Sequence, residues 1–308
     1  MDILQGLQTF NGQSIALTIG NFDGVHLGHR EFIQASLCEG QKFQLPLVVL
    51  TFTPHPGSIL KGRNHFLINS YEERRELLES LGVQILVELK FDRDLSTLSP
   101  ENFLSDYVLK FCNVQKLFIG HDFAFGANKV GTATYLQKLC HKLKIDFTQG
   151  LPFKIDGRAI SSSHIRELIS SGQMRPAKMS LGRPFFLSGR VIKGDGRGRQ
   201  IGFPTANLLI AEERILPSKG VYATMTKSKG MNFQSITNVG NNPTFLQTNE
   251  LFVESHIFDF SNDIYGEEIE VYFLEKIREE MKFSNVNELV AQIRKDIEIS
   301  HKIHGEKC

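Results

Sequence analysis

With 308 residues the chain is longer than a single hydrophobic core commonly supports, and two domains are expected. Its 41% hydrophobic and 22% charged residues are those of an ordinary globular protein, and no apolar run approaches the roughly 20 residues of a membrane-spanning helix. A net charge of +1, from 35 basic and 34 acidic residues, calls for neither nucleic acid nor an anionic membrane as partner. The opening Met1-Asp2-Ile3-Leu4-Gln5 lacks the basic and apolar segments of a signal peptide, and Cys38, Cys112, Cys140 and Cys308 are widely spaced with no CxxC pair. A reducing, cytoplasmic home is expected, with inert cysteines and Cys308 exposed at the terminus.

Ile15, Leu17 and Ile19 read as one face of a strand, and Phe32, Ile33 and Leu37 recur at helical spacing from His29 onward. Between them Gly20-Asn21-Phe22-Asp23-Gly24-Val25-His26-Leu27-Gly28-His29 makes a strand-to-helix turn. A helix starting near Gly28 offers free amides and partial positive charge, and the small residues before it let an anion approach the backbone, so phosphate is the natural occupant. His26 and His29 at this entrance can donate hydrogen bonds to phosphoryl oxygens as charge grows on them, which is catalysis by positioning and electrostatics. A purely structural turn is one alternative. A pair of zinc ligands is another, although no cysteine or carboxylate cluster completes a set.

Leu45 to Phe52 is apolar enough for a strand covered on both faces of a parallel sheet. The prolines of Thr53-Pro54-His55-Pro56 stop it and leave His55 at the carboxyl edge, where ligands of open α/β sheets bind; taken alone it reads as a loop histidine. Ser70 with Glu73 forms a capping box for a helix through Leu77, Leu78 and Leu81, closed by Gly82, and Val83 to Leu89 is the next strand. Ser99-Pro100 opens a helix whose buried stripe is Phe103, Tyr107, Val108 and Phe111, and Leu117 to Ile119 is again a strand. Such alternation predicts a parallel sheet with right-handed crossovers.

That strand runs into Gly120-His121-Asp122-Phe123-Ala124-Phe125-Gly126, where the plain reading has Phe123 and Phe125 packing and Asp122 capping the turn. In Ile160 to Arg166, Ser161, Ser162 and Ser163 start a helix with hydroxyls and amides open to an anion, and Arg166, one turn in, can fork onto two phosphate oxygens. Helix capping explains the serines as well.

Near Gly182-Arg183-Pro184 the pattern changes to short strands: Val221 to Thr226 alternate at period two, as do Ile269, Val271 and Phe273. A final helix from Ser284 to about Ile297 presents Val286, Leu289, Val290, Ile293 and Ile297 on one face, so a small antiparallel barrel or sandwich with a packed terminal helix is expected. The stretch Gly194 to Asn207 is neither a Walker A loop nor a dinucleotide fingerprint, yet its glycines with Arg197 and Arg199 suit a phosphate-binding loop, or else a solvated hairpin. Thr205 and Asn207, two apart on an extended chain, can offer a hydroxyl and an amide oxygen to Mg²⁺. Leu251, Val253 and Ile257 form one side of the next strand and Phe252, Phe258 and Phe260 the other, which Glu254 interrupts. A carboxylate in such company needs a partner and is suited to accepting a proton; a salt bridge or a watery barrel rim is the alternative.

The turn from Gly20 to His29 resembles the signature of the HxGH nucleotidyltransferases, and in this form it looks most like that of the bacterial bifunctional riboflavin kinases and FMN adenylyltransferases. The resemblance spans nearly the whole chain, through Phe52 to Pro56, Gly120 to Gly126, Ser161 to Arg166, Gly198 to Asn207, Leu216 to Tyr222, Asn238 to Phe245 and Glu254 to Phe260. It implies an α/β, Rossmann-like nucleotidyltransferase domain over residues 1–180, built on a parallel sheet. Residues 181–308 would form a small antiparallel, flavokinase-like β-barrel with a terminal helix. His26, His29 and Arg166 would stabilise charge while FMN takes the AMP portion of ATP, releasing pyrophosphate and giving FAD. Gly20, Asn21, Phe22, Asp23, Gly28, His55, Asp122, Phe123, Ser162 and Ser163 would contact nucleotide or flavin. In the second domain Gly194, Arg199 and Gly202 would shape the nucleotide loop, Thr205 and Asn207 would hold Mg²⁺ and the phosphates, and Glu254 would deprotonate the riboflavin 5′-hydroxyl. Mg²⁺ is thus the implied cofactor and ATP the co-substrate, with FMN and FAD as products, FMN also a substrate, and a monomer or weak homo-oligomer as the working form. His121, Ala124 and His164 depart from the family pattern. A nucleotidyltransferase for another phosphorylated acceptor would leave Gly198 to Asn207 and Glu254 without a task. A flavin-binding regulator without catalysis would be expected to have lost His26, His29, Arg166, Thr205 or Glu254, and all five are present.

Overall fold

The computed structural model describes residues 1–6, 10, 13–62, 64–123, 125–126, 130–241 and 251–305; Ala124, residues 242–245 of the Asn238 to Phe245 motif and Cys308 lie outside them. The chain divides into two compact units, Met1–Ser162 and Ser163–Cys308.

The first unit contains β1 (Asp2–Gln5), β2 (Ser14–Ile19), α1 (Leu27–Lys42), β3 (Leu47–Thr53), α2 (Pro56–Lys61), α3 (Tyr71–Ser80), β4 (Ile85–Lys90), α4 (Arg93–Thr97) and α5 (Pro100–Asn102). A π-helical turn, Phe103–Val108, leads to β5 (Asn113–Ile119), α6 (Ala133–Leu143), β6 (Asp146–Gln149) and the short hairpin β7 (Lys154–Ile155) and β8 (Arg158–Ala159). Six strands pair in the order β1-β4-β3-β2-β5-β6, all parallel. The chain winds outward from β2 through β3 and β4, then resumes on the other side with β5 and β6, so the topological switch point lies between the carboxyl ends of β2 and β5. Ala16, Val49 and Phe118 pack with Ile33 of α1 and Leu78 of α3 on one face, and Leu17, Val48 and Leu50 pack with Phe103, Leu104 and Leu136 on the other. Ile15, Leu17 and Ile19 share one face of β2 as expected, and Ala16 is buried on the other, so the strand is covered on both sides.

The Ser70 capping box forms as expected, with Ser70 Oγ accepting the Glu73 N–H at 3.1 Å and Glu73 Oε2 accepting the Ser70 N–H at 3.0 Å. The stripe expected after Pro100 is corrected. The Leu109 N–H donates to the Leu104 carbonyl in an i to i+5 bond, the turn widens, and Leu104 joins Phe103 and Val108 in the core while Tyr107 is exposed.

The second unit follows α7 (Ser162–Ser170) and α8 (Met174–Leu181) with β9 (Phe185–Ile192), α9 (Arg197–Gln200), β10 (Ala206–Leu209), β11 (Gly220–Ser228), β12 (Met231–Asn241), β13 (Leu251–Ile257), β14 (Glu268–Arg278) and α10 (Val286–Gly305). The six strands close antiparallel in the order β10-β13-β12-β11-β14-β9. Leu187, Val191, Ile269, Val271 and Phe273 are buried along β9 and β14, while β11, β12 and β13 carry Thr224, Thr226, Ser235, Thr237 and Ser255, all fully buried. These hydroxyls satisfy one another at 2.8 to 3.2 Å, each able to donate and accept, so the polar patch carries no orphan within itself.

Val221 to Thr224 are buried on both sides rather than alternating, because Ile293 and Ile297 of α10 cover Val221, Ile236 and Phe258 from outside. The terminal helix is also longer than expected, and its seam is corrected: Val286 is exposed, and the fully buried positions are Asp296 and Ser300.

Candidate functional sites

The turn after β2 is locked by packing. A Cβ on Gly20 would lie 2.8 Å from the Phe22 ring, so only glycine lets that ring fold back. Phe22 and Val25 hold left-handed backbone, φ 48° and 36°, and both side chains are buried, which fixes a conformation L-residues rarely adopt. His26 is the N-cap of α1, its Nδ1 accepting the His29 N–H at 3.2 Å. An accepting Nδ1 carries no proton, so the proton of the His26 ring sits on Nε2 as a donor. The two imidazoles stack with centroids 3.6 Å apart, and Phe22 stands edge-on to His29 at 5.4 Å. Gly28 leaves room for this stack, since a Cβ there would be 3.3 Å from the His26 ring.

Other residues of the motif hold the turn from behind. The Asp23 carboxylate accepts from the backbone amides of Ile68 and Asn69 at 3.0 and 3.3 Å and is buried, fastening the segment before α3 to the turn. Its carbonyl accepts from Ser162 Oγ at 2.8 Å. The Asn21 carbonyl accepts from Thr51 Oγ1 and Arg74 Nη1. His55 is buried at the end of β3 and caps α2, Nδ1 accepting the Gly57 N–H at 2.9 Å. At the end of β5, Asp122 is exposed and Phe123 packs against Phe125. Ser163 is exposed and Arg166 half-buried in the first turns of α7.

Sequence reasoning missed Arg74. Buried at 3% exposure, it donates to the Asn21 and Phe52 carbonyls, to Thr53 Oγ1 and to Glu88 Oε1, tying together the carboxyl ends of β2, β3 and β4. Burial opposes the charge of Glu88, but Arg75, forked onto both oxygens, prevails with the help of Gln5 and Arg74 and holds its carboxyl below the usual range. A lone glutamate inside the apolar run from Val83 to Leu89 was the available signal.

In the barrel, Thr205 Oγ1 donates to Glu254 Oε1 at 2.8 Å. Asn207 is the direct cross-strand partner of Glu254 from β10, and Asn238 is its partner from β12. All four line one cavity of about 1000 Å³, closed on another side by Leu289, Ile293 and Asp296 of α10. The strand alternation turns Val253, Ser255 and Ile257 inward, so Glu254 stands half-buried on the cavity wall, which Phe203, Phe252 and His256 also line. Gly194 also lines the cavity, and a Cβ there would sit on the Asn207 amide, 2.8 Å from Cγ and 3.0 Å from Oδ1. Arg199 and Gly202 are not on the cavity wall, whereas Arg197 is. Two residues apart on the single turn of α9, the arginines point to different sides, and Arg199 faces solvent.

Two family models divide the chain between them: FAD synthetase over residues 9–164 and riboflavin kinase over residues 181–304. The bifunctional riboflavin kinase/FMN adenylyltransferase of Haemophilus influenzae is 36% identical over 302 residues, covering 97% of either chain. The chain belongs to this family. The bifunctional enzyme of Bacillus subtilis is 37% identical over 286 residues, covering 91% of this chain and 89% of its own. A crystal structure described as a macrolide-efflux protein from Streptococcus pneumoniae superposes with a TM-score of 0.86 at 32% identity, covering 97% and 98% of the two chains. Among the described residues no helix is long and apolar enough to cross a membrane. The stacked histidines lie in the first compact unit and the Thr205, Asn207 and Glu254 group in the second.

Proposed function

We propose that the barrel phosphorylates riboflavin and that the parallel-sheet unit adenylylates the product, with a working boundary between residues 180 and 181. In the barrel, the riboflavin 5′-oxygen attacks the γ-phosphorus of ATP, the bond to the β–γ bridging oxygen breaks, ADP leaves, and Glu254 receives the hydroxyl proton. The observation carrying this assignment is the meeting of Thr205, Asn207 and Glu254 at one cavity wall.

The same group fits Mg²⁺. Thr205 donates its hydroxyl hydrogen bond to Glu254, so the lone pairs of its oxygen stay open to a cation, and the bare face of Gly194 admits the Asn207 amide against the loop. When bound, Mg²⁺ would supply charge neutralisation at the transferring phosphates, and Thr205 and Asn207 would hold it.

In the first unit an FMN phosphate oxygen attacks the α-phosphorus of ATP and pyrophosphate leaves. FMN phosphate is already anionic and needs no base, so His26, His29 and Ser162 have only to align it and stabilise developing charge. The substrates in this reading are riboflavin, FMN and ATP, and the enzyme works in the cytoplasm as a monomer or weak homo-oligomer.

Two variants separate the halves. His29→Ala should abolish FAD formation while FMN still accumulates from riboflavin and ATP, and Glu254→Gln should abolish FMN formation but leave adenylylation of supplied FMN intact, both followed by chromatography. Equal loss of both steps from either variant would overturn the assignment of separate sites.

A further inference from the structure

The barrel register lays a row of residues across its outer wall. Arg278 pairs with Val221, Val221 with Asn238, Asn238 with Glu254, Glu254 with Asn207, and Asn207 with Ile192. All six line the same cavity. Directly opposed side chains on one face of a sheet lie about 5 Å apart at Cβ, so Glu254 is flanked at that distance by one amide on each side. The flank toward Asn207 carries the Gly194 to Thr205 loop, which the proposed function gives to ATP phosphates and Mg²⁺. The flank toward Asn238 is the remaining polar approach to the Glu254 carboxylate along this row.

The Asn238-Val239-Gly240 spacing has a physical reason on this wall. Val239 is fully buried, so Asn238 and Gly240 share the cavity side of β12. A Cβ on Gly240 would collide with the Glu280 carboxylate, itself on the cavity wall. Bare backbone at 240 therefore makes room for the Glu280 carboxylate on this wall. The Asn238 amide, with one accepting and one donating function, suits a chain bearing several hydroxyls.

We propose that Asn238 is a specificity residue of the kinase site, hydrogen-bonding the secondary hydroxyls of the flavin's sugar-alcohol chain and so aligning the terminal hydroxyl on Glu254. This rests on the assignment of Glu254 as base. A site built to hydrogen-bond hydroxyls rejects an analogue that lacks them, because its polar groups are left unpaired, whereas an apolar channel cannot make that distinction. The acceptor is thus selected as a polyol, not merely as a flavin ring with a primary alcohol.

The test compares riboflavin with a flavin carrying an unbranched 5-hydroxypentyl chain, which keeps the ring and the terminal hydroxyl and loses the secondary ones. Wild type should favour riboflavin by about tenfold or more in kcat/KM. Asn238→Leu keeps the bulk and removes both hydrogen-bonding functions. It should lower kcat/KM for riboflavin about tenfold, leave the KM for ATP and the activity on the hydroxypentyl flavin near wild type, and bring the preference close to one. An equal loss on both acceptors, an unchanged preference, or no preference in wild type would overturn the role of Asn238, and the wild-type comparison decides even if the variant does not fold. Retained phosphorylation by Glu254→Gln would instead overturn the base assignment, so the two failures are distinguishable.

Discussion

Replacing Gly194 by Ala tests the cradle around Asn207 without touching any hydrogen bond. The backbone of Gly194 is outside the left-handed region, so alanine is compatible with the chain path. Its Cβ would stand 2.8 Å from Asn207 Cγ, whereas ordinary contact begins near 3.4 Å, so the amide must retreat by at least about 0.6 Å and, with its nitrogen closer still, by about 1 Å. The amide is the free end of a flexible side chain, and glycine to alanine also restricts the unfolded chain by about 0.4 to 1 kcal/mol, so stability should hardly change. Activity should change more. Misplacing a metal or phosphate ligand by about 1 Å costs on the order of 100-fold in rate, which is the expected loss of kcat for FMN formation. The assay is chromatographic conversion of riboflavin to FMN, with conversion of supplied FMN to FAD as the internal standard that should stay at wild-type rate. Gly196→Ala serves as the contrast: nothing lies within 4 Å of its Cβ, but φ is +69°, so it stores roughly 1 to 2 kcal/mol of backbone strain and leaves Asn207 alone. FMN formation by Gly194→Ala within threefold of wild type, or equal losses from both variants, would refute the reasoning.

Two further outcomes are expected. Asp296→Ala leaves the Arg278 guanidinium, now forked onto Asp296 at 2.8 to 3.0 Å, without its carboxylate on a seam where Asp296 is 1% exposed. It should destabilise the barrel by about 3 kcal/mol in thermal unfolding, an isosteric Asn variant recovering part of that; an unchanged melting temperature would show that the fork contributes nothing. Glu88 gives a pH signature. Its folded pKa is lowered from the model-compound value of 4.5, so its contribution to stability is complete above that pH and is lost as pH falls through the lower folded value. Glu88→Gln should therefore be less stable than wild type near neutrality, with the gap narrowing as pH drops below 4.5, and a gap independent of pH would contradict the ion-pair account.

What could be read in the sequence and what could not divide along a physical line. The strand-to-helix turn at Gly20 to His29, the Ser70 capping box and the proline stop after β3 are local: their partners lie within a few residues, so residue type and spacing already contain the geometry. The alternating pattern of strands and helices likewise foretold the parallel sheet, because each crossover is built by its own segment. Two readings failed where the regular period of one segment does not decide. Tyr107 left the core because a π turn changed the helical period, and Val221 to Thr224 lost their alternation because α10 covers the outer wall. Arg74 and Asn238 were missed for the same reason in stronger form. An arginine in a charged helix start reads as solvated until β2, β3 and β4 are set side by side, and an asparagine in β12 means nothing chemically until strand register puts it opposite Glu254. Register is a property of pairs of strands, fixed by which faces must be buried, and single-strand periodicity cannot contain it. The proposed site in the barrel is accordingly legible as a list of ingredients, Thr205, Asn207 and Glu254, while its order along the wall, with the glycine-rich loop on one flank and Asn238 on the other, exists only once the barrel closes.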